Sequence, residues 1–152
     1  MPNHIINRIH SDNPKVFTAV WNALVRLDEE EVDFNVLVPE PDPSSHDWYD
    51  WRIRNWGTKW NAYEQDSNPA SLTIEFQTAW SAPDRIIDRL AETVPGPWWW
   101  VYADEDIGNN CGTWSRTPTE GLRFHSPSDP TAHACSAWGM AEDEYRELMG
   151  LA

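Results

Sequence analysis

Residues 72–84 read Leu72-Thr73-Ile74-Glu75-Phe76-Gln77-Thr78-Ala79-Trp80-Ser81-Ala82-Pro83-Asp84. Two periods follow one another in this stretch. Leu72, Ile74, Phe76, Thr78 and Trp80 alternate with Thr73, Glu75 and Gln77, the two-residue repeat of a strand with one buried face and one wet face. Ser81-Ala82-Pro83-Asp84 then supplies a capping hydroxyl and a first-turn proline. Ile86, Ile87, Leu90 and Val94 recur at helical spacing until Pro95-Gly96-Pro97 ends the helix. Trp98 to Ala103 reads as the next strand. Strand, helix and strand thus succeed one another without a long connection.

The same alternation is written upstream. His4 to His10 carries Ile5, Ile6 and Ile9 and stops at Asp12-Asn13-Pro14, a strand closed by a turn. From Lys15, the residues Val16, Phe17, Val20, Trp21, Leu24 and Leu27 mark one face of a helix that Asp12 or Asn13 can cap. Phe34, Val36 and Val38 form a brief alternating run bounded by Pro39, Pro41 and Pro43, which reads as an extended connection. Ser44 to Gly57 has the pattern of a short helix with a glycine stop. Trp60, Ala62 and Glu64 alternate with Lys59, Asn61 and Tyr63 up to Asp66-Ser67-Asn68-Pro69, a strand and hairpin turn leading into 72–80. Beyond Asp104-Glu105-Asp106, Cys111 to Arg116 and Gly121 to His125 are expected to pair as a hairpin, and Ala141 to Leu151 to form a final helix. The order strand, helix, strand, strand, helix, strand predicts an α+β protein. Its sheet is antiparallel with a βαββαβ core and helices on one face, the arrangement called ferredoxin-like. To it are added an inserted short helix and a C-terminal hairpin and helix, all within one domain spanning 1–152.

Composition narrows the function. Twenty-five Asp and Glu against eleven Lys and Arg give a formal charge of −14. A phosphate-backbone binder needs clustered cations to displace counterions, so neither direct nucleic-acid binding nor an anionic membrane is expected. Eleven Trp, four Tyr and four Phe supply enough apolar area for a folded core. The start of the chain lacks the basic and apolar stretches of a secretory signal, which makes the cytoplasm the expected location. The most apolar run, Trp98 to Ala103, is far short of the roughly 18 residues of a membrane span. In that compartment Cys111 and Cys135 are expected to remain reduced. Oligomeric state is not legible.

Particular words in the chain carry a resemblance: Met1-Pro2-Asn3-His4 with Asn7-Arg8, Trp48-Tyr49-Asp50-Trp51, Asn55-Trp56-Gly57-Thr58-Lys59-Trp60-Asn61-Ala62, Thr78-Ala79-Trp80-Ser81, and Tyr102-Ala103-Asp104-Glu105. Together they resemble the YubB-type ferredoxin-like family of phage and conjugative-plasmid proteins, over roughly His4 to Cys111. The acidic segment Asp28 to Asp50 and the C-terminal tail match it less clearly. The resemblance implies a ferredoxin-like fold and a mobile-element origin. It implies no settled activity and no catalytic residues.

Between Leu27 and Trp51 stand nine acids and not one Lys or Arg: Asp28, Glu29, Glu30, Glu31, Asp33, Glu40, Asp42, Asp47 and Asp50. A solvated face explains most such runs, and a salt-adapted or GC-rich genome produces the same acidity. On a mobile-element protein, however, an acidic surface can imitate nucleic-acid phosphates and occupy the basic surface of a host protein. The expected function is therefore a non-enzymatic accessory protein that binds a host partner through these nine residues. A nucleic-acid-handling defence complex, CRISPR or restriction, is the expected class of target. The alternative is a small-ligand or single-stranded nucleic-acid module built on Trp48, Trp51, Trp56 and Trp60 with Arg52 and Lys59, against the competing reading of the same residues as core.

Catalysis and cofactors have little support. Asp104, Glu105 and Asp106 read better as a solvated turn than as a cation site or an acid–base pair. Cys111, His125, His133 and Cys135 are zinc-ligand types without zinc spacing, and Cys111 with His125 lacks any nucleophile motif. No phosphate loop, dinucleotide glycine pattern or metalloprotease helix occurs. Neither a metal nor a cofactor is expected.

Overall fold

The computed structural model describes residues 2–150. In chain order the elements are β1 (His4–His10), α1 (Pro14–Leu24), β2 (Val25–Arg26), β3 (Glu31–Val32), α2 (Phe34–Leu37), α3 (Trp48–Asn55), β4 (Thr73–Ala79), α4 (Asp84–Thr93), β5 (Trp98–Asp104), β6 (Cys111–Thr117), β7 (Gly121–His125), α5 (Pro130–Trp138) and α6 (Glu142–Leu148). The main sheet runs β4-β1-β5-β6-β7, and every adjacent pair is antiparallel. Because β1 is antiparallel to both neighbours, β4 and β5 are parallel to each other. With α4 joining them and β1 between them, they form the split βαβ unit of the ferredoxin-like fold.

Alternation along the strands sets the two faces. Ile9, Ile74, Phe76, Trp98 and Trp100 point to α1 and α4, where Phe17, Val20, Leu24, Ile86, Ile87 and Leu90 complete the core. Four rings meet edge to face across it: Trp56 with Phe34 at 5.6 Å, Phe34 with Phe76 at 5.8 Å and Phe76 with Trp100 at 5.8 Å. Ring edges directed at ring faces are the favoured geometry of aromatic pairs. α1 is capped by Asn13, whose side chain accepts from the amides of Lys15 and Val16. On the opposite face, Ile6 and Ala103 are covered by Ala134 and Ala137 of α5.

Several local expectations are corrected. Residues 34–37 are helical, not extended. Asp33 caps them, and Phe34 and Leu37, three apart, lie on the same side against the core while Val36 is exposed. The strand expected over 60–64 is reduced to a bridge between Tyr63 and Gln77, with further bonds from Asp66 N to Glu75 O and Asn68 N to Thr73 O. Glu64 has φ 50°, which breaks the extended run, so the segment follows the outer edge of β4 without joining it as a strand. Trp80 does not continue the buried row of β4. Its φ is 69°, and the turn swings the ring outward to 47% exposure. At the other end of β4, Leu72 also has positive φ, at 57°. α5 was not foreseen. The final helix covers 142–148, and Leu151 and Met1 lie outside the described residues.

Gly57 clips the segment 25–72 to the rest. Its φ is 81°, and a Cβ there would lie 1.8 Å from Asp84 Oδ1, so only glycine fits. Beside it, Ser81 Oγ donates to Gly57 O at 2.7 Å and Thr58 Oγ1 donates to Ala79 O at 2.8 Å.

Candidate functional site

The nine acids do not form one surface. Asp33 caps α2 and accepts from Asn61 Nδ2 at 2.8 Å, Asp42 caps the turn Pro43–Ser45, and Asp47 caps α3. Glu40 is sealed in. Its side chain is 5% exposed, holds the Arg52 guanidinium by both carboxylate oxygens at 2.9–3.2 Å, and lies 3.3 Å from His46 Nε2. Asp50 pairs with Arg54 at 3.2 Å on the surface of α3. Asp28 lies 3.2 Å from Arg26, which holds its carboxyl below the usual range chiefly through their hydrogen bond. Glu29 lies 3.5 Å from the same guanidinium. Among the described residues, Glu30 and Glu31 have no ion pair or side-chain hydrogen bond. The run in the chain is continuous because caps and turns prefer Asp, and the fold then scatters those caps.

Glu29, Glu30 and Glu31 stand at a groove. The turn joining β2 and β3 carries Glu29, Glu30 and Glu31, and across from it runs the segment 65–69 with Asp66, enclosing about 350 Å³. A second hollow of about 360 Å³ adjoins it, lined by Phe17 and Trp21 of α1 with Pro69 and Leu72. Trp21, Glu30 and Pro69 line both, which makes them one groove with an apolar floor and an acidic end. Its walls are fixed by side-chain amides: Gln65 exchanges two hydrogen bonds with the backbone of Val32, and Asn61 Oδ1 accepts from Phe34 N. Glu30 itself has φ 54°, the left-handed conformation that ordinarily selects Gly or Asn at such a turn.

The six aromatic and basic candidates separate into two groups. Trp56 is 1% exposed, donates from Nε1 to Val38 O at 2.9 Å and stands edge-on to Trp51 at 5.5 Å, so both are packing residues. Arg52 lies over the rings of Trp48 and Trp56 while its Nε and Nη2 are bound to Glu40. On α3 the expected ligand platform is an aromatic–guanidinium stack anchored by Glu40, with Trp56 buried and Trp48 39% exposed at its outer end. Lys59 and Trp60 belong elsewhere. The ammonium of Lys59 sits 4.5 Å from the Trp60 ring centroid and 4.2 Å from that of Trp80. The sequence missed Trp80 as a surface residue because its alternation with Phe76 and Thr78 disguised it.

The remaining chemistry-bearing residues are dispersed over the fold. Asp104 is buried and accepts from Asn3 Nδ2 and from the amide of Asp106. His125 Nε2 meets Ser115 Oγ at 2.7 Å on the exposed sheet face, not Cys111, and among the described residues no carboxylate bonds to this histidine. His133 Nε2 lies 3.1 Å from Tyr102 O, and Cys135 is buried in α5, its thiol pushed up by burial. Among the described residues no three His, Cys, Asp or Glu side chains gather as a metal site. No helix among them is long and apolar enough to cross a membrane.

Residues 59–149 match the family model described as a ferredoxin-like domain in Api92-like protein. The match includes the C-terminal tail, which the sequence resemblance covered less clearly, and begins at Lys59. No curated protein matches the chain. No solved structure does either. The matched stretch supplies β4 to β7 and the helices α4 to α6, with β1 from outside it filling the slot between β4 and β5. With more than half of its length matched and the split βαβ sheet in place, the chain belongs to the family of ferredoxin-like domains in Api92-like proteins.

Proposed function

We propose that this protein is a non-enzymatic docking module that holds a basic, partly apolar segment of another protein in the groove beside α1. The groove carries the reading. Phe17, Trp21 and Leu72 offer an apolar floor, and Glu29, Glu30, Glu31 and Asp66 supply charge at one end. Such a site suits Lys or Arg side chains, whose carbon stems bury while their heads reach carboxylates. With a net charge of −14, approach of a basic partner is accelerated and becomes sensitive to salt.

The resemblance to proteins of phages and conjugative plasmids supports a host partner, and a nucleic-acid-handling defence complex in the cytoplasm is the class whose basic surface fits. Imitation of phosphates then narrows to the turn 28–31, since Asp33, Glu40, Asp42 and Asp47 are committed to caps and a sealed ion pair. The test is calorimetric titration with a synthetic peptide alternating Arg and Leu, against the same peptide with Gln for Arg. Binding is expected for the Arg peptide alone, weakening with salt and by about tenfold or more in the triple variant Glu29→Lys, Glu30→Lys, Glu31→Lys, since each tenfold is about 1.4 kcal/mol. Unchanged affinity in a triple variant that keeps its circular dichroism would overturn the site. Capture from host lysate with both forms would then identify the partner as the protein retained by the parent and lost by the variant.

A further inference from the structure

We infer that Trp60 and Trp80 form a two-walled aromatic clamp for a methylated ammonium group, held shut by the chain's own Lys59. The site shares no residue with the groove beside α1. Two features set the clamp apart from chance stacking. The Lys59 ammonium lies between two indoles, 4.5 Å from one centroid and 4.2 Å from the other, within the range of a cation attracted by ring faces. Among the described residues Lys59 has neither an ion pair nor a side-chain hydrogen bond. The ring faces are its stabilising surroundings.

Both walls are placed by the fold. Trp80 is held at φ 69° with its N–H donating to Asn3 O at 2.9 Å and its carbonyl accepting from Asn110 Nδ2 at 3.2 Å. A bulky residue in that conformation persists only where its surroundings over-determine it, and here the result is a large ring left 47% exposed. Trp60 stands edge-on to Tyr63 at 6.3 Å. Tyr63 is in turn edge-on to His4 at 5.6 Å, with 2.6 Å between its hydroxyl and His4 Nδ1. The walls are braced and the occupant is a flexible stem, which is the arrangement of a latch.

The charge nearby selects a cation. Glu64 and Glu105 act on the Tyr63 hydroxyl, which burial and their negative field push up to about 12. An anionic nucleotide meets repulsion from a chain of net charge −14. Among cations, an ordinary ammonium gains nothing over Lys59, which is equally hydrated and already tethered at the site. A trimethylammonium sheds water more easily and matches two ring faces, so it is the class able to displace the latch.

The test titrates N-acetyl trimethyl-lysine amide into the parent, Lys59→Ala, Lys59→Gln and Trp80→Gly proteins, following tryptophan fluorescence and heat. N-acetyl-lysine amide and a short oligodeoxythymidine serve as comparison probes. If Lys59 fills the clamp about nine-tenths of the time, its removal tightens binding about tenfold, since apparent affinity scales with the open fraction. That gain is expected in both Lys59 variants, for the trimethylated probe over the lysine probe. Trp80→Gly suits the left-handed backbone and is expected to remain folded with binding lost. Trp60→Leu gives the same reading from the other wall. Folded Lys59 variants that bind no tighter than the parent would overturn the latch. Binding that survives loss of either tryptophan, or a preference for the oligonucleotide, would overturn the clamp.

Discussion

The indole N–H of Trp100 donates to the side-chain oxygen of Asn7 at 2.9 Å, joining β5 to β1 inside the core. The amide nitrogen of Asn7 reaches Thr78 Oγ1 on the other neighbour at 2.9 Å, so one buried side chain bonds β1 to both flanking strands. Asn7→Ala strands the indole N–H and leaves Thr78 without its donor. A buried polar group deprived of its partner costs about 1–3 kcal/mol. Urea unfolding should show a loss in that range, and Asn7→Asp should be at least as damaging because it adds a buried charge.

Arg52 and Glu40 form the other polar anchor, at the join between α3 and the Pro-rich connection. Removing the guanidinium leaves a carboxylate that is 5% exposed facing only His46. Breaking such a pair from one side costs about 3 kcal/mol or more. Arg52→Ala should therefore destabilise strongly, and the double variant Arg52→Ala, Glu40→Gln should recover part of the loss. A double-mutant cycle by chemical unfolding measures the recovery. Charge reversal at Glu40 belongs to this experiment rather than to binding studies.

Glu30 separates stability from binding. A side chain in the left-handed region costs about 1–2 kcal/mol, and glycine adopts it freely at an entropic cost of about 0.5–1 kcal/mol. Glu30→Gly should leave stability unchanged or raise it by about 0.5–1 kcal/mol while weakening the groove's hold on an Arg-rich peptide. Thermal unfolding and calorimetric titration of the same variant read the two effects.

Alkaline pH tests the Tyr63 environment. Burial first, and then the charges of Glu105 and Glu64, push its hydroxyl up to about 12 from an ordinary 10. Between those values the unfolded chain has lost the proton that the folded chain retains, so the contribution of Tyr63 is complete below pH 10 and declines as pH rises towards 12. Absorbance titration should show one tyrosine ionising near 12, absent in Tyr63→Phe. The variant's stability should fall less steeply over that interval.

Much of the fold was legible because the two signals that decide it are long and regular. The alternation through 73–79 and the helical stripe from Ile86 to Leu90 each bury a complete face, and the order of elements followed from them. The errors cluster where one residue leaves the regular backbone. Glu64 and Trp80 have positive φ without being glycine, so no residue type marks where the repeat stops. Phe34, Val36 and Val38 fit a strand while Phe34 and Leu37 fit a helical turn, and the Asp33 cap decides between them. α5 was invisible for another reason: it buries Ala134, Cys135 and Ala137, small residues that form no conspicuous apolar stripe. Of the candidate site, the turn 28–31 was legible from charge alone. That Glu40 would be sealed by Arg52 twelve residues away, or that Lys59 would lie against Trp80, depends on tertiary placement.

β1 is the first strand of the chain yet lies inside the sheet, flanked by strands that begin at Thr73 and Trp98. On a ribosome adding about 5–20 residues per second, it waits for several seconds before either neighbour exists. During that interval Ile5, Ile6 and Ile9 have no sheet to join. Assembly must therefore be late and long-range, governed by loop closure across some sixty residues at the β1–β4 junction. Opening the chain between β1 and α1 by circular permutation would place the His4–His10 strand behind α6, so that both of its neighbours already exist when it is made.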